Sequence, residues 1–133
     1  MNDRRVTASR TKWLRESLVS LDQYTFTGPH PEEVNDLRFR ITRALAPVVQ
    51  RVRVFGTSTV ELAWTASGWL DACIIAANNP WDTSAGVLLA REAGAVVFDL
   101  QGDVHSYESA STVAAAPALA EELRSLLQRT LSD

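Results

Sequence analysis

The chain has 133 residues, 46% hydrophobic and 22% charged, with only six Gly and five Pro. That composition belongs to an ordinary globular domain and excludes collagen-like, low-complexity and disordered readings; a chain this long buries roughly two-thirds of its unfolded surface, enough for one core without disulfides or a structural metal. Thirteen Lys and Arg against sixteen Asp and Glu give a net charge of -3, which argues against a general basic surface and a nucleic-acid partner.

Residues 1–11 are polar and lack an apolar period, so they read as a loose N-terminal stub, with the folded unit spanning 12–133. Met1-Asn2-Asp3-Arg4-Arg5 leads into polar residues, and no apolar run approaches the ~18 residues of a membrane span. No membrane partner and a cytoplasmic location are therefore expected. Leu18, Val19, Leu21 and Tyr24 fit a strand that runs into the turn-rich segment Thr27-Gly28-Pro29-His30-Pro31. Pro31 suits the first position of a helix, with Glu32 and Glu33 in its first turn and an apolar face of Val34, Leu37, Ile41, Ala44, Leu45 and Val48. Arg38, Arg40 and Arg43 then read as a solvated face.

Val52 and Val54 alternate with arginines in a short strand that delivers the chain to Gly56. A helix follows, capped by Thr57 or Ser58, with Val60, Ala63, Trp64 and Ser67 on one face and a stop at Gly68. Leu70 to Ala76 reads as a buried strand, within which Cys73 is a small buried residue rather than a nucleophile. After Pro80, Trp81, Ala85, Leu88, Leu89 and Glu92 share a helical face that ends at Gly94. Ala95–Leu100 and Ser111–Ala116 read as strands, and Pro117 opens a last helix with Leu119, Leu123, Leu126 and Leu127 inward. Strands alternate with helices, so the fold class is α/β with a layered αβα arrangement.

Gly56-Thr57-Ser58, then Ser67-Gly68-Trp69-Leu70-Asp71-Ala72, Trp81-Asp82-Thr83-Ser84-Ala85-Gly86 and Glu92-Ala93-Gly94 follow one another in an order and spacing that resembles the C-terminal half of inositol monophosphatase family proteins. The resemblance is strongest over residues 51–102 and extends from about 12 to 130, about half the family's usual length. It implies the C-terminal subdomain of the inositol monophosphatase and sugar phosphatase fold, and a Mg²⁺-dependent phosphomonoesterase acting on a small phosphorylated polyol, sugar, nucleotide or amino alcohol. Asp82 matches the family's catalytic, metal-ligating Asp. Gly56, Thr57 and Ser58 match the turn whose backbone approaches substrate at a helix start.

Each assignment has a structural counterpart. Mg²⁺ prefers hard oxygen ligands, yet Asp82 after Pro80-Trp81 would also serve as a helix N-cap. Helix N-termini favour anions, yet capping alone would explain Gly56–Ser58. Asp71 reads as a structural partner at a strand start, Glu92 as structural near a helix end, and Trp81 as packing. His30 and His105 read as surface residues.

The family's other catalytic parts, a metal-binding Glu and an Asp-Pro-x-Asp-Gly-Thr segment, have no counterpart in these residues. The resemblance therefore implies weak or absent Mg²⁺ binding by the isolated chain and a site completed by the missing N-terminal half or across a homodimer. Half of a layered fold is also expected to leave an apolar face uncovered. Where the family's inositol phosphatases place a substrate-binding Glu, four residues past Asp71, this chain has Ile75; an aliphatic side chain cannot accept hydrogen bonds from substrate hydroxyls, which speaks against inositol phosphate itself. The alternative function is a non-catalytic remnant acting as a binding or dimerisation module.

Overall fold

The structure, a computed structural model, describes residues 2–132. Its strands are β1 (Leu18–Leu21), β2 (Arg51–Arg53), β3 (Ala72–Ile75), β4 (Val96–Phe98) and β5 (Thr112–Ala115), joined in one sheet of order β2-β1-β3-β5-β4. β1 pairs in parallel with β2 and β3, whereas β5 runs antiparallel to β3 and β4. The helices are α1 (Pro31–Leu45), α2 (Ser58–Ala66), α3 (Pro80–Glu92) and α4 (Ala120–Ser132). The layered αβα class expected from the sequence is the observed one, built on a mixed sheet.

Side chains alternate across the sheet with the period of two that a strand imposes. Val19, Leu21, Ala72, Ile74, Val113 and Ala115 face Ile41 and Leu45 of α1 and Leu123 and Leu127 of α4. Cys73, Ile75, Val97 and Ala114 face Leu62 and Ala66 of α2 and Val87 and Ala90 of α3. The sheet is thus covered on both faces. Pro31 and Pro80 each stand in the first turn of their helices, where a missing N–H costs nothing.

Four expectations need correction. The N-terminal stretch is fastened rather than loose: Ala8 is buried, its N–H donates to the Ala93 carbonyl at 2.9 Å, and the Ser9 hydroxyl donates to Asp71 Oδ1. Asp71 Oδ2 meanwhile accepts from the Leu18 N–H at 2.7 Å, so Asp71 is the structural partner expected at a strand start. Arg38 is not on a solvated face but is buried against Asp22. His105 is likewise buried, for reasons given below.

The fourth correction concerns the inward faces of α2 and α3. The sheet side of α2 carries Glu61, Leu62, Thr65 and Ala66, and that of α3 carries Thr83, Gly86, Val87 and Ala90. The stripe expected to be the core face of α3 looks outward instead: Trp81 is 74% and Leu88 61% exposed, with Ala85, Leu89 and Glu92 beside them. Both helices therefore carry two faces, and the inner one mixes Leu62, Ala66, Val87 and Ala90 with small and polar residues that dilute its hydrophobic pattern. The uncovered apolar face is this outer side of α2 and α3. Trp81 is exposed over most of its surface, against the packing role expected of it, and Glu92 is exposed at the end of α3.

Candidate active site

β1, β2 and β3 are parallel, so their carboxyl ends deliver three loops to one edge of the sheet. In open α/β sheets that edge is where ligands bind. β1 leads to Asp22–Pro29, β2 to Gly56–Ser58, and β3 to Ala77–Pro80. Between them lies a cleft of about 430 Å³ lined by Thr25, Thr27, Ser58, Asn78, Asn79 and Asp82 among others. A larger cavity of about 610 Å³, lined by Arg4, Arg5, Ser67 and Trp69, sits at the opposite end of α2, away from these groups.

Gly56 has φ +87°, a region that costs a non-glycine residue energy, and it turns the chain sharply from β2 into α2. Thr57 stands at the N-cap, but neither it nor Ser58 makes the expected capping bond: no side chain caps this helix. The first N–H groups of α2 thus keep their donors and the positive end of the helix dipole for another acceptor. Of the three turn residues, Ser58 reaches the cleft.

Asp82 lies in the first turn of α3, beyond its N-cap Asn79, and the helix likewise has no side-chain cap. Capping therefore does not account for Asp82. Its carboxylate is exposed, and no hydrogen bond or ion pair engages it among the described residues. α2 and α3 bring it close to Ser58 because they pack tightly at Gly86: a Cβ there would stand 2.7 Å from Leu62 Cβ. The Thr59 hydroxyl on α2 donates to the Asp82 carbonyl at 3.3 Å. The glycine four residues after Asp82 has a physical task, which is to let the two helix starts converge.

Family membership follows from the comparisons. Residues 1–132 match the profile of the Inositol monophosphatase family. The chain belongs to the inositol monophosphatase family. It is 39% identical over 93 residues to Inositol-1-monophosphatase ImpA of Mycolicibacterium smegmatis, covering 70% of this chain and 34% of that protein. Inositol-1-monophosphatase of Rhizobium meliloti is 30% identical over 133 residues, covering 98% of this chain and 48% of its own length. The crystal structure of extragenic suppressor protein suhB from Bartonella henselae superposes with a TM-score of 0.84 at 27% identity, covering 96% of this chain and 47% of that one. The chain thus spans about half the length of the relatives it matches.

The donor set decides what a divalent cation would find in this inositol monophosphatase family chain. Asp82 offers free, hard oxygen ligands of the kind Mg²⁺ takes. Among the described residues no group of three His, Cys, Asp or Glu could hold a metal ion. Asp82 has the donor chemistry such an ion takes.

The opposite wall of the cleft is set by a hydrogen-bonded chain that the sequence did not reveal. Thr112 Oγ1 donates to Asn78 Oδ1 at 2.9 Å, which leaves the Thr112 oxygen to accept from His105 Nε2–H at 2.8 Å. His105 is buried to make this bond, and Arg91 donates to its carbonyl. Burial, with the Arg91 charge second, holds the imidazole below its ordinary 6.5. Ile75 is fully buried on the α2 and α3 side of β3, so the cleft wall beyond it consists of Ala77, Asn78 and Asn79 instead.

Two further groups near the cleft lay outside the sequence argument. Arg38 Nε and Nη2 donate to Asp22 Oδ1 and Oδ2 at 3.1 and 2.8 Å, a buried two-point pair at the mouth of the β1 loop. Glu61 is fully buried on α2 with neither carboxyl oxygen hydrogen-bonded. An arginine and a glutamate on amphipathic helices ordinarily face water, although Arg38 stands at helical spacing from Val34, Ile41 and Leu45, a signal that it shares their inward face. Cys73 is buried as expected, its thiol pushed up to about 12 chiefly by burial. That excludes a thiolate nucleophile at neutral pH.

Proposed function

We propose that this chain supplies one half of the active site of a Mg²⁺-dependent phosphomonoesterase. The observation that carries this is the free Asp82 carboxylate in one cleft with Ser58 and the uncapped start of α2. Two helix N-termini converge there. Their N–H groups and dipoles suit a phosphate group, and Asp82 suits the cation that would neutralise it. Bound Mg²⁺ supplies Lewis-acid polarisation of phosphoryl oxygens and a more acidic water.

Asp82 is the metal ligand and catalytic residue of this half. Gly56 sets the turn, and the Thr57 and Ser58 region of α2 receives the phosphate. Asn78, held by Thr112 and His105, presents an amide to the remainder of the substrate. With Ile75 buried and amides on the wall, the cleft suits a small phosphorylated sugar, nucleotide, amino alcohol or polyol. The remaining metal ligands lie outside these 133 residues. Their carrier, the family's N-terminal half or a second copy, would cover the outer side of α2 and α3, where Trp81 and Leu88 are exposed. The chain alone is expected to bind Mg²⁺ weakly and to be inactive; the setting is cytoplasmic, without a nucleic-acid partner.

The test is phosphate release from a panel of phosphomonoesters by the chain co-purified with the N-terminal half of the Rhizobium meliloti relative, with and without Mg²⁺. Release that requires Mg²⁺ and vanishes in Asp82→Asn is expected. A folded, stable complex that stays silent throughout would sink the proposal. The exposed apolar face favours a second reading, a non-catalytic module that uses this face to bind or dimerise, and such silence would support it.

A further inference from the structure

Beneath the start of α2 lies a cluster of buried polar side chains that the phosphatase reading leaves unused. Ser20 on β1 and Cys73 on β3 are register partners, and Glu61 and Thr65 stand one turn apart on α2. All four are fully buried. Thr65 Oγ1 donates to the Glu61 carbonyl at 2.8 Å. Ser20 Oγ and both Glu61 carboxyl oxygens lack any hydrogen bond of good geometry, although the Ser20 hydroxyl and the Phe55 backbone N–H lie within their influence.

Among the described residues no ion pair balances Glu61. From the loop that follows β1 it meets Asp22, already committed to Arg38 of α1. From β3 it meets Cys73, a neutral thiol. α3 turns only Thr83, Gly86, Val87 and Ala90 inward. A desolvated carboxylate with like charge beside it is costly, so the neutral acid is the stable form. Burial first and Asp22 second push this carboxyl from 4.5 up to about 7. Glu61 is also in the first turn of α2, directly behind the N–H groups that face the cleft.

We propose that the Gly56–Ser58 turn takes up its anion together with a proton on Glu61, so that an anion in the cleft and a charge on Glu61 oppose each other. This rests on the reading of that turn as the phosphate-binding element. The coupling is electrostatic: one negative charge about a helical turn behind the site, in a partly buried setting, weakens anion binding on the order of tenfold. Linkage makes the effect reciprocal, so bound anion must raise the pH at which Glu61 ionises by the same factor, about one pH unit.

The test uses sulfate, whose charge is constant over the range, and follows the amide resonances of Gly56, Thr57 and Ser58 in the 133-residue chain. Sulfate affinity is expected to fall about fivefold from pH 5.5 to 8, on its way to the full tenfold at higher pH, and in Glu61→Gln to stay at the low-pH value throughout. Glu61→Gln retains His30 and His105, so an equal fall in that variant would assign the effect to the histidines and overturn the proposal. If Glu61→Gln does not fold, the carboxyl carbon of Glu61 in the unmodified chain gives the reverse measurement. Its midpoint near 7 should rise by about one unit with saturating sulfate, and a midpoint that does not move refutes the coupling. Sulfate that leaves the three amides unperturbed at every pH refutes the phosphate-binding reading of the turn itself, and the coupling with it.

Discussion

Replacing Arg38 by Met tests how the candidate cleft is held open. Arg38 reaches Asp22 through two hydrogen bonds of 3.1 and 2.8 Å, with both side chains buried. Its Nη1 also donates to Asn35 Oδ1 at 3.3 Å, and that oxygen accepts the Thr25 N–H at 2.9 Å. One guanidinium therefore ties α1 to the end of β1 and to the loop that lines the cleft. Methionine matches the aliphatic stem but strands the Asp22 carboxylate in a dry site. Breaking a buried pair this way costs about 3–5 kcal/mol, whereas replacing both partners costs far less, and a domain of this size has only about 5–15 kcal/mol in total. Urea unfolding at pH 7 should show Arg38→Met losing about 3 kcal/mol or more, with the Asp22→Asn and Arg38→Met double variant more stable than Arg38→Met alone. A loss under about 1 kcal/mol, or a double variant no better than the single one, would mean that water reaches Asp22 and that the pair does not anchor the loop.

Gly86→Ala should cost about 1–3 kcal/mol by overpacking against Leu62, despite alanine's higher helix propensity; a neutral or stabilising result in thermal unfolding would show that α2 and α3 can separate freely. Asp82→Asn should change stability by less than about 1 kcal/mol, since the carboxylate is exposed and unpaired and only its helix-dipole term is lost. In the complemented enzyme the same change should lower turnover roughly 100-fold or more, and retention of activity would remove Asp82 from the site. Glu61 and His105 impose opposite pH trends on stability. Glu61 is raised in the folded state, so its contribution is complete below about 4.5 and is lost as pH rises through about 7, a change of about 3 kcal/mol that Glu61→Gln should abolish. His105 is lowered, so its contribution holds above its ordinary 6.5 and is lost as pH falls through its folded value; melting curves of His105→Gln should be flatter on the acid side, and an unchanged acid limb would refute the buried neutral imidazole.

The order of elements was legible because each boundary carries its own chemistry. Pro31 and Pro80 open helices, and short runs such as Ala72–Ile75 are too apolar and too brief for anything but a buried strand. Strand ends were less legible: Tyr24 and Val54 continue the alternating pattern but lie beyond β1 and β2, because sheet pairing and not pattern sets where a strand stops. Asp82 and the Gly56 turn were visible through the resemblance to the inositol monophosphatase family, since their residues alone fit helix capping as well. The Asn78, Thr112 and His105 chain was not, since it joins residues 34 and 7 positions apart through a fold no periodicity encodes. Glu61 was missed for the converse reason, being a polar residue that burial had to be observed to reveal, whereas Arg38 was legible in its helical spacing from Val34, Ile41 and Leu45.

The inverted helix faces connect these failures to function. A hydrophobic pattern identifies the most apolar stripe of a helix, and in α2 and α3 that stripe is Val60, Ala63 and Trp64 together with Trp81, Ala85, Leu88 and Leu89. Against the sheet the same helices place Glu61, Thr65, Thr83 and Gly86. The absence of a side chain at Gly86 lets α2 and α3 approach so closely that a Cβ there would stand 2.7 Å from Leu62, which sets Asp82 beside Ser58. Close approach of two helix starts concentrates two positive dipole ends in one cleft, which is what an anion requires. The sheet side of α2 and α3 thus combines Leu62 and Val87 with small and polar residues, while Trp81, Leu88 and Leu89 lie on the outer side. A helix layer apolar on its outside as well as packed on its inside is the middle layer of a thicker sandwich. On that view Trp81 should lose most of its 74% exposure when the complementary half binds, and its fluorescence should shift to the blue with the same midpoint at which Mg²⁺-dependent activity appears. An emission spectrum unchanged by an active complement would place the second half elsewhere, and the metal ligands would then have to approach Asp82 from the Thr25–Thr27 side of the cleft.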